Sequence, residues 1–351
     1  MMDFNLFIVG DRAMQRNSSV LGTGLLCLDI IYHNDIQQIS NGGTCANVLS
    51  VLAQIGWNTW ALKPKYDDPW DDFIESNLNT LGVNIINYKS VRRNCPRVIE
   101  ELNNKNHFFS TVCPVCNKKI LNLPRFGKNN FKDLKADFDH IDVFYHDRIS
   151  DGIREIVETM HQQNKLVFYE PNTARNPNLL VKDALNAEIV KFSIKNVSIK
   201  IANEIRNKAI FGNTKVIIIT DGDNGLLFSY LTSGNRMSSW QKVDPFRSVE
   251  VIDAAGAGDW LSAGFIDHLV ASWDLSKGYL DEKLLVASIT YGIEYAKLSC
   301  KTIGAQGVFY SAELMAQLKE LSNSSKCNAK PLLNMKFSNS EDICSKCMLP
   351  F

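Results

Sequence analysis

The sequence has no excess of charge of either sign, since Lys+Arg and Asp+Glu number 38 each among 351 residues. Without a basic field to hold a polyanion, nucleic acid is not expected as the main partner. Long hydrophobic runs are also missing: no stretch is long enough to cross a bilayer, and the apolar run at residues 4–9 is too short for a signal peptide. We therefore expect a cytoplasmic protein that does not bind membranes.

Two further absences narrow the classes of function. No Gly-x-Gly-x-x-Gly element follows the first predicted strand, which argues against a dinucleotide-dependent oxidoreductase. No internal repeat or long low-complexity tract is present, which argues against a solenoid. With 45% hydrophobic residues, the chain is long enough for one large domain with a small appendage.

Short apolar strands alternate with helices along most of the chain. Apolar runs predict strands at residues 20–32, 141–145, 166–169 and 216–220, and apolar periodicity predicts helices at residues 46–55, 152–162, 178–188 and 312–321. This alternation requires crossover connections, so we expect an α/β fold with a mostly parallel sheet and helices on both faces. Ligands of such sheets bind at the carboxyl ends of the strands.

Two stretches interrupt this alternation. Residues 92–131 are rich in Asn and Lys and contain a Cys-Pro-Val-Cys element, and they predict small antiparallel strands that form a lid. Residues 322–351 form a polar, cysteine-bearing tail with too little apolar content to fold alone. The tail is therefore expected to be tethered to the rest of the protein.

The run from Asp253 to Asp259 indicates a site for phosphoryl transfer. Gly256, Ala257 and Gly258 leave backbone N–H groups uncovered where a helix begins, and the partial positive charge of that helix end attracts an anion. Asp259 then stands beside the anion, where its carboxylate can accept a proton from an attacking hydroxyl. The alternative is a glycine-rich turn that only caps the helix.

A second segment indicates contacts with a polyhydroxylated ligand. Gly42 and Gly43 let the backbone approach such a ligand closely, and Asn47 offers both a donor and an acceptor to a diol. The alternative is a tight entry from strand to helix in which Asn47 is only the helix cap.

A third segment, at the end of an apolar strand, indicates contacts with a nucleotide. Gly222 and Gly225 would admit a flat base and phosphates at van der Waals distance, and Thr220 would add a hydroxyl. A plain β-turn is the competing interpretation.

Together these segments resemble the ribokinase-like PfkB family of carbohydrate kinases. The resemblance extends over about residues 20–321 and is carried, in order, by residues 42–56, 219–225, 253–259 and 300–305. It implies a ribokinase-like three-layer α/β/α fold with a small β lid. It also implies a kinase that transfers the γ-phosphoryl group of ATP to a hydroxyl of a sugar or related polyol. A nucleoside kinase and a non-catalytic, metal-stabilised binding protein are the alternatives.

The resemblance assigns roles to individual residues. Asp259 is the general base, Gly256 to Gly258 form the anion hole, and Asp29, expected at the end of the first strand, takes substrate hydroxyls. Mg²⁺ bridges the nucleotide phosphates. Further expected contacts to the nucleotide and its metal are Ser193, Asn196, Asp253 and Gly304. Asp147 and Arg148, at a predicted strand end, are candidate substrate contacts.

The chain departs from the family pattern at several positions. Ala254 and Ala255 stand where threonines are common, so potassium activation is not expected. Asn196 occupies the glutamate position of the family's Asn-x-x-Glu element and carries no charge for the metal. Thr44 stands where the ribokinase subgroup favours lysine, so ribose is not specified as the acceptor.

Two cysteine pairs predict a structural zinc site. Cys113 and Cys116 have the spacing of a zinc knuckle, and the tail pair Cys344 and Cys347 would complete a four-thiolate site. Such a site would tie the tail to the lid. The lid stretch with its cysteine pair is similar to that of a subset of PfkB-like proteins that carry cysteine pairs in the lid. Thiols without metal are the alternative, with a redox switch as a lesser one. A homodimer formed through the lid is a further expectation.

Overall fold

The computed structural model describes residues 18–33, 36–89, 94–103, 106–114, 116–134, 138–246, 250–275, 278–322 and 336–338. The strands are β1 (Ser19–Thr23), β2 (Cys27–His33), β3 (Ile36–Gly42), β4 (Asn58–Lys65), β5 (Val83–Lys89), β6 (Arg97–Asn103), β7 (Asn106–Ser110), β8 (Val143–His146), β9 (Leu166–Tyr169), β10 (Ile189–Ser193), β11 (Val216–Thr220), β12 (Leu226–Tyr230), β13 (Gln241–Val243) and β14 (Lys336–Ser338). The α-helices are α1 (Thr44–Gln54), α2 (Pro69–Thr80), α3 (Lys128–Leu134), α4 (Asp151–Gln162), α5 (Pro177–Ala184), α6 (Ile199–Lys208), α7 (Ala257–Val270), α8 (Glu282–Ser299) and α9 (Ala312–Ser322).

A nine-stranded sheet forms the centre of the molecule, in the order β13-β12-β11-β10-β9-β8-β1-β4-β5. All neighbours from β11 to β5 are parallel, whereas β12 and β13 join in antiparallel fashion. Every residue of β8 and β9 is buried, because the sheet is covered on both faces. This double burial explains the continuous apolar pattern of these strands, and the predicted mostly parallel sheet is confirmed.

Helices cover the central sheet in two layers, each with its own apolar core. Along β11, Val216 and Ile218 face one core, which contains side chains of α1, α2, α7, α8 and α9. Ile217 and Ile219 face the other core, which contains side chains of α3 to α6. The predicted three-layer α/β/α architecture is therefore confirmed. Within the described ranges, no helix has both the length and the apolar character needed to cross a membrane.

A second, five-stranded sheet stands beside the first, in the order β14-β3-β2-β6-β7. It corrects the prediction of a single strand at residues 20–32, because the chain leaves the central sheet after Thr23 and enters the small sheet at Cys27. The turn between them contains Gly24, whose φ is 146°. The lid sheet therefore includes β2 and β3 as well as strands from residues 92–131, and β6 pairs with β2 in parallel.

The polar tail contributes one strand to the lid sheet. β14 pairs antiparallel with β3, so that Lys336 lies opposite Ile39 and Ser338 opposite Gln37. On the next strand of the sheet, β2, Leu28 and Ile30 are buried in the core that also contains residues of α2. Side chains alternate between the faces of a strand, so Asp29 and Ile31 lie on the opposite face. This face lies against the segment that follows α8, since Ile31 Cδ1 lies 2.5 Å from the position of a Cβ built on Gly304.

Candidate active site

The run from Asp253 to Asp259, called the phosphate turn below, contains a left-handed residue directly before α7. Gly256 has a φ of 74° and directly precedes the helix. A Cβ at this position would lie 2.3 Å from the Cβ of Ala305, so only glycine fits. The first turn of a helix leaves backbone N–H groups without intrahelical acceptors, which makes this end suited to an anion. Of these groups, the N–H of Ala257 donates to the carbonyl oxygen of Ala254 at 3.2 Å.

Asp253 holds the phosphate turn against the segment that follows α8. One carboxylate oxygen accepts from the backbone N–H of Ala255 at 2.8 Å, and the other accepts from the N–H of Gly304 at 2.8 Å. Gly304 itself has a φ of 70°. The buried Asp253 carboxylate thus fixes the backbone around the turn, which is a positioning role.

Asn47 connects the first glycine-bearing segment to Asp259. Its side-chain amide nitrogen donates to Oδ2 of Asp259 at 2.7 Å, and its oxygen accepts from Nε2 of Gln306 at 3.3 Å. Asn47 is buried, on the first turn of α1, which begins after Gly43 at a φ of 94°. Because both ends of the amide have protein partners, Asn47 orients Asp259.

Asp29 lies directly over the backbone of Gly42. A Cβ on Gly42 would come within 1.7 Å of Oδ2 of Asp29, so the bare glycine backbone makes room for the carboxylate. The thiol of Cys27 donates to Oδ1 of Asp29 at 3.3 Å. Asp29 is the third residue of β2, which corrects the expectation that it ends the first strand. It therefore reaches the site from the lid.

Asp147 has backbone partners at the base of the lid. Both of its carboxylate oxygens lie within 3.1 Å of the N–H of Leu25, and Oδ2 also accepts from the N–H of Cys45 at 3.2 Å. Arg148 Nε lies 3.7 Å from Oδ1 of Asp147. These contacts join the turn after β1 to the start of α1, so the described contacts of Asp147 are structural ones.

The residues expected at the nucleotide lie along one edge of the central sheet. Ser193 and Thr220 end the parallel strands β10 and β11 and lie opposite each other in register. Gly222 has a φ of 50° and nothing within 4 Å of a Cβ position, so it leaves space for a ligand. By contrast, a Cβ on Gly225 would lie 2.2 Å from the carbonyl oxygen of Val243, so this glycine is required by packing. Asn196 is exposed in the turn after β10.

The electrostatics of the site favour a base that titrates near neutral pH. Burial, together with the charge of Glu170, raises the pKa of Asp259 to about 7, although the hydrogen bond from Asn47 opposes this shift. Burial and the charge of Glu100 raise the pKa of Asp29 to about 8. A general base is most effective when its pKa lies near the working pH. Asp259 meets this condition.

The arrangement can therefore hold an anion and remove a proton at adjacent positions. Asp259 is the third residue of α7, next to the turn that Gly256 opens. Ser193 and Asn196 offer Mg²⁺ only neutral oxygens, which fits an ion bound mainly through phosphates and water. Such an ion would neutralise charge on the nucleotide phosphates.

The first cysteine pair forms a tight turn at the base of the lid. The N–H of Cys113 donates to the carbonyl of Lys118 at 2.8 Å, and the N–H of Asn117 donates to the carbonyl of Cys113 at 2.9 Å. Asn117 has a left-handed φ of 56°. No group of three or more His, Cys, Asp or Glu side chains suited to a metal occurs among the residues that the structure describes. Cys344 and Cys347 lie outside those residues.

Sequence reasoning missed a buried charged network beneath the phosphate turn. Lys191 binds Oε1 of Glu170, and Oε2 of Glu170 accepts from the Tyr145 hydroxyl at 2.9 Å and the Ser262 hydroxyl at 2.6 Å. The signal was a single lysine in the apolar run of β10. Gln306, which binds Asn47, follows directly after the recognised segment 300–305 and was missed for that reason.

Comparison with known proteins agrees with this geometry. A family model described as pfkB family carbohydrate kinase matches residues 29–311. Among curated proteins, none matches the chain.

Several solved structures share the fold at low sequence identity. A fructokinase with bound ATP from Xylella fastidiosa is 18% identical, covers 83% of this chain and 94% of its own, and has a TM-score of 0.63. A ribokinase from Giardia lamblia is 13% identical, with coverage of 83% and 95% and a TM-score of 0.65. An aminoimidazole riboside kinase from Salmonella enterica, complexed with aminoimidazole riboside and an ATP analog, is 16% identical, with coverage of 87% and 100% and a TM-score of 0.60.

Proposed function

The chain belongs to the pfkB family of carbohydrate kinases, and from this premise we propose that it is an ATP-dependent kinase for a hydroxyl of a sugar or related polyol. The observation that carries the proposal is the hydrogen bond between Asn47 and Asp259. This contact unites the two glycine-bearing segments at the start of α7. The segment proposed to bind the acceptor thereby lies beside the proposed base and the anion-binding turn.

The proposed reaction is a direct transfer between two bound substrates. Asp259 accepts the proton of the acceptor hydroxyl while the oxygen of that hydroxyl attacks the γ-phosphorus of ATP. The bond from that phosphorus to the bridging oxygen breaks, and its electron pair leaves with ADP. The N–H groups of Gly256 and Gly258 would stabilise charge on the transferred group, whereas that of Ala257 has the carbonyl oxygen of Ala254 as its partner. No phosphoenzyme is required.

We place the acceptor between the lid and α7, and the nucleotide along the edge formed by β10 and β11. Asp29 and the bare backbone of Gly42 support the acceptor position, since a carboxylate can accept from sugar hydroxyls. Thr220 and the open position at Gly222 support the nucleotide position. The related structures contain ATP in a fructokinase and a riboside in an aminoimidazole riboside kinase, so a nucleoside is the second candidate acceptor.

A panel of sugars and nucleosides, assayed for ATP consumption with the full-length protein, tests the proposal. We expect phosphorylation of one member and a loss of about 100-fold or more in Asp259→Asn, because this change removes the base while keeping the shape of the side chain. Asp133→Asn, an equivalent change on the exposed part of α3, should leave turnover unchanged.

Failure of the wild-type protein to phosphorylate any member, while one member still binds, would favour the non-catalytic alternative. Turnover that survives in Asp259→Asn would instead contradict the assignment of the base. Identification of the product by mass spectrometry separates a phosphorylated sugar from a phosphorylated nucleoside.

We also propose that Cys113, Cys116, Cys344 and Cys347 bind one structural zinc ion. The knuckle-like turn at Cys113, with Asn117 in the left-handed region, supports this proposal. The pairing of β14 with β3 supports it as well, because it brings the tail onto the lid sheet before the second cysteine pair.

A homodimer formed through the lid is the remaining part of the proposal. Phe108 and Phe109 are 62% and 58% exposed on β7, which forms one edge of the lid sheet. Large exposed aromatic side chains at a sheet edge are typical of protein interfaces.

A further inference from the structure

A buried ion pair lies beneath the phosphate turn. Lys191, the third residue of β10, is 1% exposed, and Glu170, which follows β9, is 6% exposed. Their side chains bind each other, and the second carboxylate oxygen of Glu170 accepts hydroxyl hydrogen bonds from Tyr145 and Ser262. Buried charges are maintained only when they are paired and hydrogen-bonded, so this pair is a built feature of the fold.

The ion pair contacts the turn that holds the base. The hydroxyl of Ser262 lies within hydrogen-bond distance of both Glu170 Oε2 and the carbonyl oxygen of Gly258, at 2.6 Å and 3.2 Å. A Cβ built on Gly258 would lie 3.6 Å from the ammonium nitrogen of Lys191. The charges of Glu170 and Lys191 are therefore placed against the residue that directly precedes Asp259.

Negative charge dominates the surroundings of Asp259. Among its neighbours the charges of Glu170 and Asp147 raise the pKa of Asp259, whereas the charge of Lys191 lowers it. Asp259 in turn raises the pKa of Asp29 on the lid. The titratable and charged groups around Asp259 are Glu170 after β9, Lys191 on β10, Asp147 and its neighbour Arg148 after β8, Tyr145 on β8, Asp29 on β2 and Cys45 on α1.

We propose that Lys191 is a positioning residue that, by neutralising Glu170, keeps Asp259 ionised and able to accept a proton at neutral pH. Without Lys191, the unpaired Glu170 carboxylate would oppose the ionised form of Asp259. Without the Glu170 carboxylate, Lys191 would favour that form. The inference rests on the proposed function only in that Asp259 is taken as the base.

The titration of Asp259 can be measured without knowing the acceptor. The pKa of Asp259 in the folded protein, about 7, lies above that of an unfolded aspartate, about 3.9. The contribution of Asp259 to stability is therefore fully present below about pH 4 and is lost as the pH rises through about 7. This loss is measured as a difference between two free energies of unfolding at a series of pH values. The value for the protein with Asp259→Asn is subtracted from the value for the same protein with Asp259.

Two substitutions should move the titration in opposite directions. In Lys191→Met we expect the Asp259 contribution to the free energy of unfolding to be lost at a pH about one unit higher or more, because Glu170 is then unpaired. In Glu170→Gln we expect this loss about one pH unit lower, because a negative charge is removed. Nearby charges shift the pKa of carboxyl groups by such amounts. The double variant should return toward wild type. Lys63→Met is the matched control: Lys63 is also 1% exposed and binds Asp71, so its loss should reduce stability without moving the Asp259 titration.

With an acceptor in hand, the acid limb of kcat/KM against pH should shift in the same directions. An Asp259 titration unchanged in Glu170→Gln overturns the inference, even if Lys191→Met does not fold. An increase of KM for ATP in Lys191→Met without a shift of the pH profile also overturns it, because Lys191 would then act on the phosphates directly. Absence of turnover on every acceptor would overturn the kinase proposal alone, since the unfolding titration does not depend on it.

Discussion

At the scale of single residues, Gly256 is the position at which the proposed binding of an anion depends most directly on backbone conformation. Its left-handed φ sets the start of α7, and the Cβ of Ala305 occupies the space beside it. Any side chain at this position would displace the phosphate turn from the segment that follows α8. The proposed anion hole therefore depends on the absence of one methyl group.

Gly256→Ala should lower both stability and turnover. The left-handed conformation costs a non-glycine residue roughly 1–2 kcal/mol, and the overlap with Ala305 adds to this. Gly278→Ala is a suitable control, because Gly278 has a φ of 67° and nothing within 4 Å of its Cβ position. Chemical denaturation should show a larger loss for Gly256→Ala. Equal losses with unchanged kinase activity would contradict the role of the close approach.

Individual residues differed in how well the sequence predicted their surroundings. The positions of Gly256 and Asp259 at the start of α7 could be predicted, because a glycine-bearing turn followed by an apolar run is a local signal for the start of a helix. The partner of Asn47 could not, since the hydrogen bond to Asp259 joins side chains 212 positions apart. Lys191 lies within an apolar strand, but its partner Glu170 follows a different strand, β9, so only the fold shows the pair.

At the scale of elements, the division of residues 20–32 into two strands shows the limit of apolar patterns. β1 is buried throughout and β2 is largely buried, so the apolar pattern continues across the boundary between two sheets. The break depends on Asp147, which accepts from the N–H of Leu25 in the connecting turn. That contact is distant in sequence. By contrast, the predicted helix at residues 46–55 closely matches α1, because its signals are local.

The knuckle and the tail lead to a prediction about zinc content. Full-length protein purified without added zinc should contain about one equivalent per chain by metal analysis, because four thiolates form a closed tetrahedral site. Cys344→Ser should release the metal, whereas Cys300→Ser, at the end of α8, should retain it. Zinc that persists in Cys344→Ser would exclude the proposed pairing, and metal-free wild-type protein would exclude the site.

At the scale of the whole molecule, the lid leads to a prediction about assembly. The wild-type protein should sediment with twice the 39.5 kDa mass of one chain, because β7 presents exposed aromatic side chains at a sheet edge. The double variant Phe108→Asp and Phe109→Asp should be monomeric. Phe211→Asp is the control, since Phe211 is 83% exposed outside the lid. A wild-type monomer in analytical ultracentrifugation would refute the lid interface.

The carboxylate proposed to bind the acceptor lies on β2, whereas the proposed base lies on α7. This separation has a consequence for how such enzymes diversify. Asp29 belongs to the small sheet, while Asp259, the phosphate turn and the Glu170–Lys191 pair belong to the central α/β body. In the proposed mechanism, recognition of the acceptor and phosphoryl transfer are therefore assigned to separate stretches of the chain. Substitutions in the lid would then change the acceptor while the residues proposed for transfer stay the same.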